Sequence, residues 1–573
     1  MDGKDHIAYF TMEIGLTEAI PTYAGGLGIL AGDTVRTAAD MGIPMIVMTL
    51  LHRKGYFRQK LDASGWQSEE DVNWPVAELL HEMEPRCPIE IEGRRILVRA
   101  WKYEVRGAGD NLVPVYFLDT DLPENAEQDR AITDHLYGGD QHYRLCQEVV
   151  LGIGGIRMLR ALGYGEIKRF HMNEGHAALL TLELAYEYSK QAWDVAYEEI
   201  KHTVRPELMQ VVKSKCIFTT HTSVPAGHDK FPLNLVHQVI TGYQGAFAEL
   251  EQRLCPNDEL NMTYLALENS RYINGVAKRH GKVTQQMFSK FDIHSITNGV
   301  HVATWAAPSM AQLFDERIPG WREDNPSLRY ALNIPKRDIW QAHRLAKEAL
   351  LGLVNQRSAG FDADIFTLGF ARRAAVYKRA ELLFLDTGRL LEIAGNVGPF
   401  QIIYAGKAHP RDTEGKEVIR RIHEVKEILK DKIKLVYLED YGIEMAKLIT
   451  AGVDLWLNTP MPPLEASGTS GMKAAINGVP SFSIVDGWWA EGCIEGVTGW
   501  AIGNDNGANA EDRDTRSEDA EALYNKLEMV ILPMFRNEQD RYAEVMRHSI
   551  ALNASFFNTE RMLTQYVSKA YFK

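Results

Sequence analysis

Short apolar runs alternate along the chain with longer stretches whose apolar residues recur at helical spacing. Runs of that length, bounded by small and polar residues, read as buried strands, and the amphipathic stretches read as the helices that join them. The alternation predicts an α/β protein built on parallel strands rather than a β-sandwich or a helical bundle. Strands are expected over 7–11, 44–50, 113–118, 167–172, 216–220 and 295–297. The rhythm is cleaner in the second half, over 365–371, 401–405, 432–437, 454–458 and 481–485, with one helix-length segment between strands. That is the pattern of a doubly wound domain. Helical spacing also covers 30–41 and 540–573, the latter expected to pack back across the first half.

The stretch 305–357, rich in Pro, Trp and charge, carries the weakest strand signals and marks the passage between two α/β halves. The division this gives is 1–300, 301–545 and a returning segment over 546–573. An acidic, Gly/Asn-rich stretch over 503–517 reads as an exposed loop. Two facing α/β domains put the carboxyl ends of two sets of strands around one crevice, where ligands of such sheets bind.

Charge narrows the partners. With 63 Lys+Arg against 77 Asp+Glu, the net charge of -14 disfavours nucleic acid and anionic membrane, so a local cluster of cations needs its own explanation. Five scattered cysteines without a C-x-x-C pair suggest reduced, mostly buried thiols. No metal is expected: His171 and His176 have the wrong spacing for a two-histidine zinc helix, and His176 reads as a residue that packs or hydrogen-bonds in a strand-end loop. The amino end lacks the layout of a signal peptide and no run of 18 apolar residues occurs, so a cytoplasmic location is expected.

Three loops carry candidate chemistry. Glu465-Ala-Ser-Gly-Thr-Ser-Gly-Met-Lys473 follows a predicted strand and leads into a helical run, a layout in which backbone N–H groups face an anion and a lysine presents its amine beside it. Arg372-Arg373-Ala-Ala-Val-Tyr377-Lys378-Arg379 sets four cations just after a strand, well placed for phosphate. Tyr23-Ala-Gly25-Gly26-Leu27-Gly28 precedes a helix and lets backbone approach a ligand closely, without the spacing of a dinucleotide fingerprint. Taken singly, each loop is equally a tight turn or a solvated basic helix start.

Together these loops resemble the α-glucan phosphorylase family, in particular its short bacterial and archaeal branch. The resemblance extends over most of the chain through Thr219-Thr220-His221-Thr222, Asn274-Gly-Val-Ala-Lys-Arg-His280, Thr297-Asn298-Gly299 with Trp305 behind it, Gly406-Lys407-Ala408 and Leu438-Glu-Asp-Tyr441. It implies two Rossmann-like doubly wound domains across a deep crevice, of the glycosyltransferase-B type. It also implies retaining phosphorolysis of an α-1,4-glucan (glycogen, starch or maltodextrin) by inorganic phosphate, giving glucose 1-phosphate. By the resemblance Lys473 holds pyridoxal phosphate covalently, and Gly26, Arg372, Thr469 and Ser470 face the cofactor's phosphate. Arg373 and Lys378 bind the attacking phosphate. Glu465, Ser467, Gly468, Leu27, His221, Asn298 and Tyr377 bind the transferred glucosyl unit, His221 with a catalytic part. Ser470-Gly471 stands where long-chain members have Gly-Asn, which loosens the assignment of Ser470. A homodimer is implied, and nucleotide or phosphorylation control is not expected, because the chain begins close to its first strand.

Two other readings use the same loops. A sugar-nucleotide glucan synthase would share the architecture, but such enzymes place a second carboxylate eight residues after the first, and here Glu465 is followed at that distance by Lys473. An inert glucan-binding module would use Trp488-Trp489 as a sugar platform, yet adjacent tryptophans after a strand more often serve packing, and a binder has no use for the cations.

Overall fold

The computed structural model describes residues 5–193, 206–224, 227–243, 255–357, 359–503 and 514–573. The acidic stretch expected as a loop over 503–517 lies largely outside them. Two large sheets dominate. The first uses β1 (His6–Thr11), β2 (Met45–Leu50), β3 (His81–Ile91), β4 (Arg94–Arg106), β5 (Leu112–Asp119), β6 (Ile167–Asn173), β7 (Cys216–Thr219), β8 (Tyr272–Gly275) and β9 (His294–Ser295), in the order β9-β8-β7-β6-β1-β2-β5-β4-β3. The second uses β10 (Phe366–Ala371), β11 (Phe400–Ala405), β12 (Lys434–Leu438), β13 (Leu455–Asn458), β14 (Ser481–Ile484) and β15 (Gly499–Ile502), all parallel, in the order β12-β11-β10-β13-β14-β15.

The alternation of side chains explains why these runs are strands. Along β1, Ile7 and Tyr9 enter one apolar cluster and Ala8 and Phe10 the opposite one, all buried. Likewise Ile402 and Tyr404 of β11 face one side while Ile403 and Ala405 face the other. Strands covered on both faces must be apolar throughout, which is what made them visible in the sequence.

Three readings need correction. The nine-stranded sheet is not wholly parallel: β3 and β4 form a long antiparallel hairpin at its edge, and β4 pairs antiparallel with β5. Its strands alternate buried and exposed residues, so a search for continuous apolar runs passes over it. The signal is the two-residue turn Glu92-Gly93, with φ of 53° and 73°, the positive pair that such a hairpin turn demands. The strand expected over 295–297 ends at Ser295, because Thr297 turns its hydroxyl to the Glu491 carboxylate, at 2.9 and 3.0 Å. The segment over 540–573 is not one helix: it breaks before Asn558, whose carboxamide oxygen accepts from Arg561 N–H at 2.9 Å and restarts the chain as a new helix over Thr559–Tyr566.

That last helix lies against α1 (Gly26–Asp40). Tyr566 Oη lies 3.0 Å from both Thr219 Oγ1 and Asn274 Nδ2, and Tyr571 Oη lies 2.8 Å from His171 Nδ1, all within the first sheet. Elsewhere the two sheets are joined by a small hairpin, Arg58–Leu61 with Gln67–Glu70. Buried Gln59 donates to Gly406 O and buried Gln67 to Ala408 O, both at 2.9 Å, while Gln59 also exchanges bonds with Asp440. A buried amide satisfied at both ends makes a directional joint as well as a packed one.

Candidate active site

In the second sheet the strand order reverses between β10 and β13, the kind of switch point outside whose strand ends ligands of such sheets bind. Arg372 and Arg373 follow β10 directly, and the loop bearing Glu465 follows β13.

Lys473 sits in α2 (Ser470–Ile476), a short helix whose Gly471 is packed so closely that a Cβ would come within 2.6 Å of Trp488. Its amine is buried, 3.9 Å from the centre of the Trp305 ring, and Trp305 Nε1 donates to Asp33 Oδ2 at 2.8 Å. Asn477 donates to the backbone carbonyls of both Trp305 (2.8 Å) and Lys473 (3.0 Å), so the two backbones are tied through one side chain. Burial lowers the Lys473 amine to about 8, with Asp33 opposing the shift. An amine so tuned is partly neutral, and therefore nucleophilic, near physiological pH.

Eight residues earlier, Glu465 Oε2 accepts from Arg372 Nη2 and from Lys378 Nζ, both at 2.6 Å. Burial would raise this carboxyl, but Arg372 and then Lys378 overcome it and hold Glu465 down at about 2. Arg372 Nη1 is buried with no hydrogen-bond partner among the described residues. The sequence reading sends Arg372 and Lys378 to phosphate groups; the structure pairs both with Glu465. The loop geometry fixes this: Gly468 adopts φ 73°, Trp488 N–H donates to Ser467 O at 2.9 Å, and Ser467 Oγ lies 3.4 Å from Gly468 O. Thr469 supplies its carbonyl to Lys473 N–H at 3.1 Å, and Ser470 Oγ accepts from Trp456 Nε1 at 3.1 Å.

Arg373 stays apart from that cluster. The residue is exposed overall; partial desolvation opposes its charge, yet Tyr377, Tyr56 and Glu13 around it favour the protonated form. Burial would also raise the Tyr377 hydroxyl, but Lys378, 4.4 Å from the ring centre, and Arg373 bring it below its ordinary value. Glu13 further organises the glycine loop: its Oε2 accepts from Ala24 N–H (2.6 Å) and Gly25 N–H (3.2 Å), and its Oε1 from Tyr137 Oη (2.9 Å). Two of the donors expected for a ligand are therefore used internally. Gly28 must lack a side chain, because a Cβ would lie 2.6 Å from Glu13 Oε2, whereas one on Gly26 would meet nothing within 4 Å. Gly26 is exposed and Leu27 half-buried at the head of α1.

His221 follows β7. Its Nε2 lies 2.7 Å from Asn173 Oδ1, and Asn173 Nδ2 donates to Thr11 Oγ1 at 3.1 Å. Since Thr11 spends its own hydrogen on Glu13 O at 2.9 Å, the Asn173 oxygen must accept, which places the imidazole proton on Nε2 and leaves Nδ1 an acceptor. Burial lowers the imidazole to about 4, so it is neutral. Glu174 Oε2 accepts from His221 N–H at 2.7 Å and Thr222 Oγ1 at 3.0 Å, from a backbone held at φ 76°, a strained value of the kind that gathers at functional sites. Asn298 is fixed through its backbone, by Val276 O (3.0 Å) and Arg561 Nη2 (2.9 Å). Ser223 Oγ donates to Leu464 O and so joins the His221 loop to the Glu465 loop.

Glu13, Asp33, Asn173, Glu174 and Asp486 escaped the sequence reading because none lies in one of the three loops that carry clustered glycines or cations. Trp488 and Trp489 are buried core residues rather than a sugar platform. Four cysteines are buried and Cys493 is half-buried. His176 Nε2 meets Asp229 Oδ2 at 3.2 Å. Among the described residues no group of three or more His, Cys, Asp or Glu side chains could hold a metal, and no helix is long and apolar enough to cross a membrane.

The chain is a mixed α/β protein with two large sheets, a buried lysine and, eight residues before it in sequence, a cation-bound carboxylate, and its relatives make it a sugar-transferring enzyme. The carbohydrate phosphorylase family matches residues 164–567, and the chain belongs to that family. It is 38% identical to the maltodextrin phosphorylase of Thermococcus litoralis over 100% of this chain and 71% of that one. It is 36% identical to a glycogen phosphorylase of Mycobacterium bovis (99% and 70% covered) and 32% identical to one of Aquifex aeolicus (100% and 86%).

Proposed function

We propose that the chain transfers the terminal α-1,4-linked glucosyl unit of a glucan to inorganic phosphate, releasing glucose 1-phosphate with retained configuration. The observation that carries the reading is the buried Lys473 amine eight residues beyond Glu465, where a nucleotide-sugar synthase would need a carboxylate. The names of the relatives, maltodextrin phosphorylase and glycogen phosphorylase, point to the same chemistry.

Three features fit pyridoxal phosphate: a buried amine lowered to about 8, the buried and unpartnered Nη1 of half-buried Arg372, and open space at Gly26. Lys473 would anchor it, with Arg372, Thr469, Ser470 and Gly26 toward its phosphate. When bound, that group supplies a second phosphate that exchanges a proton with the attacking one. The protein's part is to hold two anions close together without water, which demands fixed cations in a desolvated cavity. Arg373 and Lys378 are assigned to inorganic phosphate, Arg373 being held charged by its neighbours. Neutral His221 offers Nδ1 as an acceptor to a sugar hydroxyl, and Glu465, Ser467, Gly468, Leu27, Asn298 and Tyr377 complete the glucosyl pocket. Such positioning, rather than activation of a side-chain nucleophile, supplies most of the rate. In this reading the sheets are two Rossmann-like domains across a crevice, 1–300 and 301–545, with 546–573 returning to the first, and the molecule is a homodimer, which sedimentation would test.

The decisive experiment is an absorption spectrum before and after borohydride, with peptide mapping, followed by assay of glucose 1-phosphate from maltodextrin and phosphate. A pyridoxyl label on Lys473 and phosphate-dependent release are expected; a protein that takes up no pyridoxal phosphate and uses a sugar nucleotide would overturn the reading. With cofactor removed, covalent uptake should quicken as pH rises through about 8, because the neutral amine is the reactive form. Arg373→Ala should raise the phosphate KM roughly 10- to 100-fold, the worth of a charge-assisted hydrogen bond, with the cofactor spectrum unchanged. Unaltered phosphate kinetics would remove Arg373 from the site.

A further inference from the structure

Asp486 is buried at the end of β14 and takes no part in the scheme above. Its Oδ2 accepts the backbone N–H of Glu465 at 2.9 Å, and its buried Oδ1, which makes no hydrogen bond, forms an ion pair with Arg279 Nε at 3.4 Å. Arg279 comes from the other sheet, on the helix Lys278–Met287 that follows β8, and its Nη1 also donates to Val485 O at 2.8 Å. The next residue, Gly487, adopts φ 53° and lies so close to the Glu465 loop that a Cβ would come within 2.4 Å of Ser467 O. Trp488 N–H then binds that same carbonyl. The turn over 486–488 thus grips the Glu465 loop at both ends, and Arg279 grips the turn. A second bond runs in parallel, from Lys278 N–H to Glu491 Oε1 at 2.9 Å.

We propose that Asp486 is a positioning residue that, held by Arg279 from the opposite sheet, sets the Glu465 carboxylate on Arg372 and Lys378 and so couples the contact between the two sheets to the substrate loop. The proposal rests on the reading that Glu465 binds the glucosyl unit. Burial raises the Asp486 carboxyl to about 6, against the pull of the Glu465 N–H and of Arg279, while the Glu465 charge adds to the rise. Arg279 and Glu465 are the charged groups that face it. A carboxyl raised in the folded state weakens folding as pH climbs through the interval up to about 6, so its ionised form is not kept for stability. Below about 6 the proton removes the charge that Arg279 holds, and the grip slackens.

Asp486→Asn copies the protonated form: it can still accept the Glu465 N–H but carries no charge for Arg279. The measurement is kcat/KM for maltodextrin phosphorolysis from pH 5 to 8 in wild type, Asp486→Asn, Arg279→Met and the double variant, with melting temperature and cofactor absorbance as checks on folding. Dividing wild type by variant at each pH cancels the ionisation of phosphate itself. The ratio should be roughly tenfold at pH 7.5, the loss of one charged contact, and fall toward one below pH 6. The double variant should be no worse than either single one. A ratio that stays constant with pH, or losses that multiply in the double variant, would overturn the proposal. Should Asp486→Asn fail to fold, Arg279→Met carries the test through the fall of its ratio below pH 6 toward a constant above one, set by the lost bond to Val485 O, and a ratio that does not fall overturns the proposal. A wild type without phosphorolytic activity would instead refute the functional reading on which the proposal stands.

Discussion

Lys473→Ala is expected to give a folded protein that retains no pyridoxal phosphate and has lost activity by at least about 10^3-fold, the scale seen when a member of a cooperating catalytic set is removed. The fold should survive, because what is lost is a buried amine lowered to about 8, whose protonated form is disfavoured by its surroundings. Removing it relieves that penalty and leaves a cavity of a few methylenes against Trp305. Absorbance, cofactor content and melting temperature, measured together, separate the outcomes. A protein that keeps its cofactor band after the substitution would remove Lys473 from the anchor role, whatever its activity.

Glu465→Ala should be the most damaging change to stability, by about 3–5 kcal/mol, because it leaves Arg372 and Lys378 buried without a counter-charge. The folded carboxyl lies at about 2, below its unfolded value. Its contribution is therefore complete above roughly pH 4.3 and is lost as pH falls toward about 2. The gap between wild type and variant in denaturant midpoint should accordingly be the same at pH 5 and pH 8. Phosphate or sulfate should restore part of the loss in the variant, since a free anion can take the vacated place between the cations. A gap that narrows between pH 8 and pH 5, or no response to anions, would show that the pair of contacts does not hold this loop.

The parts of this fold that could be read from the sequence are those under the plainest physical constraint. Strands buried on both faces must be apolar from end to end, so β1, β2, β10, β11 and β13 stand out. The β3–β4 hairpin, with charges on its open face, does not, although Glu92-Gly93 marked its turn. The break at Asn558 was hidden for a related reason: helical spacing continues on both sides of it, and only the local cap reveals the restart. At the site, the three loops were legible because glycines and clustered cations are unusual in an acidic chain. What could not be read was the pairing within them. Nothing along the chain says that Glu465 meets Arg372 and Lys378, or that Glu13 takes the glycine-loop donors; those contacts arise from the crossing of strand ends distant in sequence.

The bond between His171 and Tyr571 spans 400 residues. A ribosome adding about 5–20 residues per second needs roughly 20–80 s to cover that distance. For that interval the buried imidazole at the centre of the first sheet has been synthesised but its phenol partner has not, and Thr219 and Asn274 likewise await Tyr566. Until then those polar groups of the first half can pair only with water or with other partners, and slowing elongation late in the message should lengthen the period in which it can be lost to aggregation.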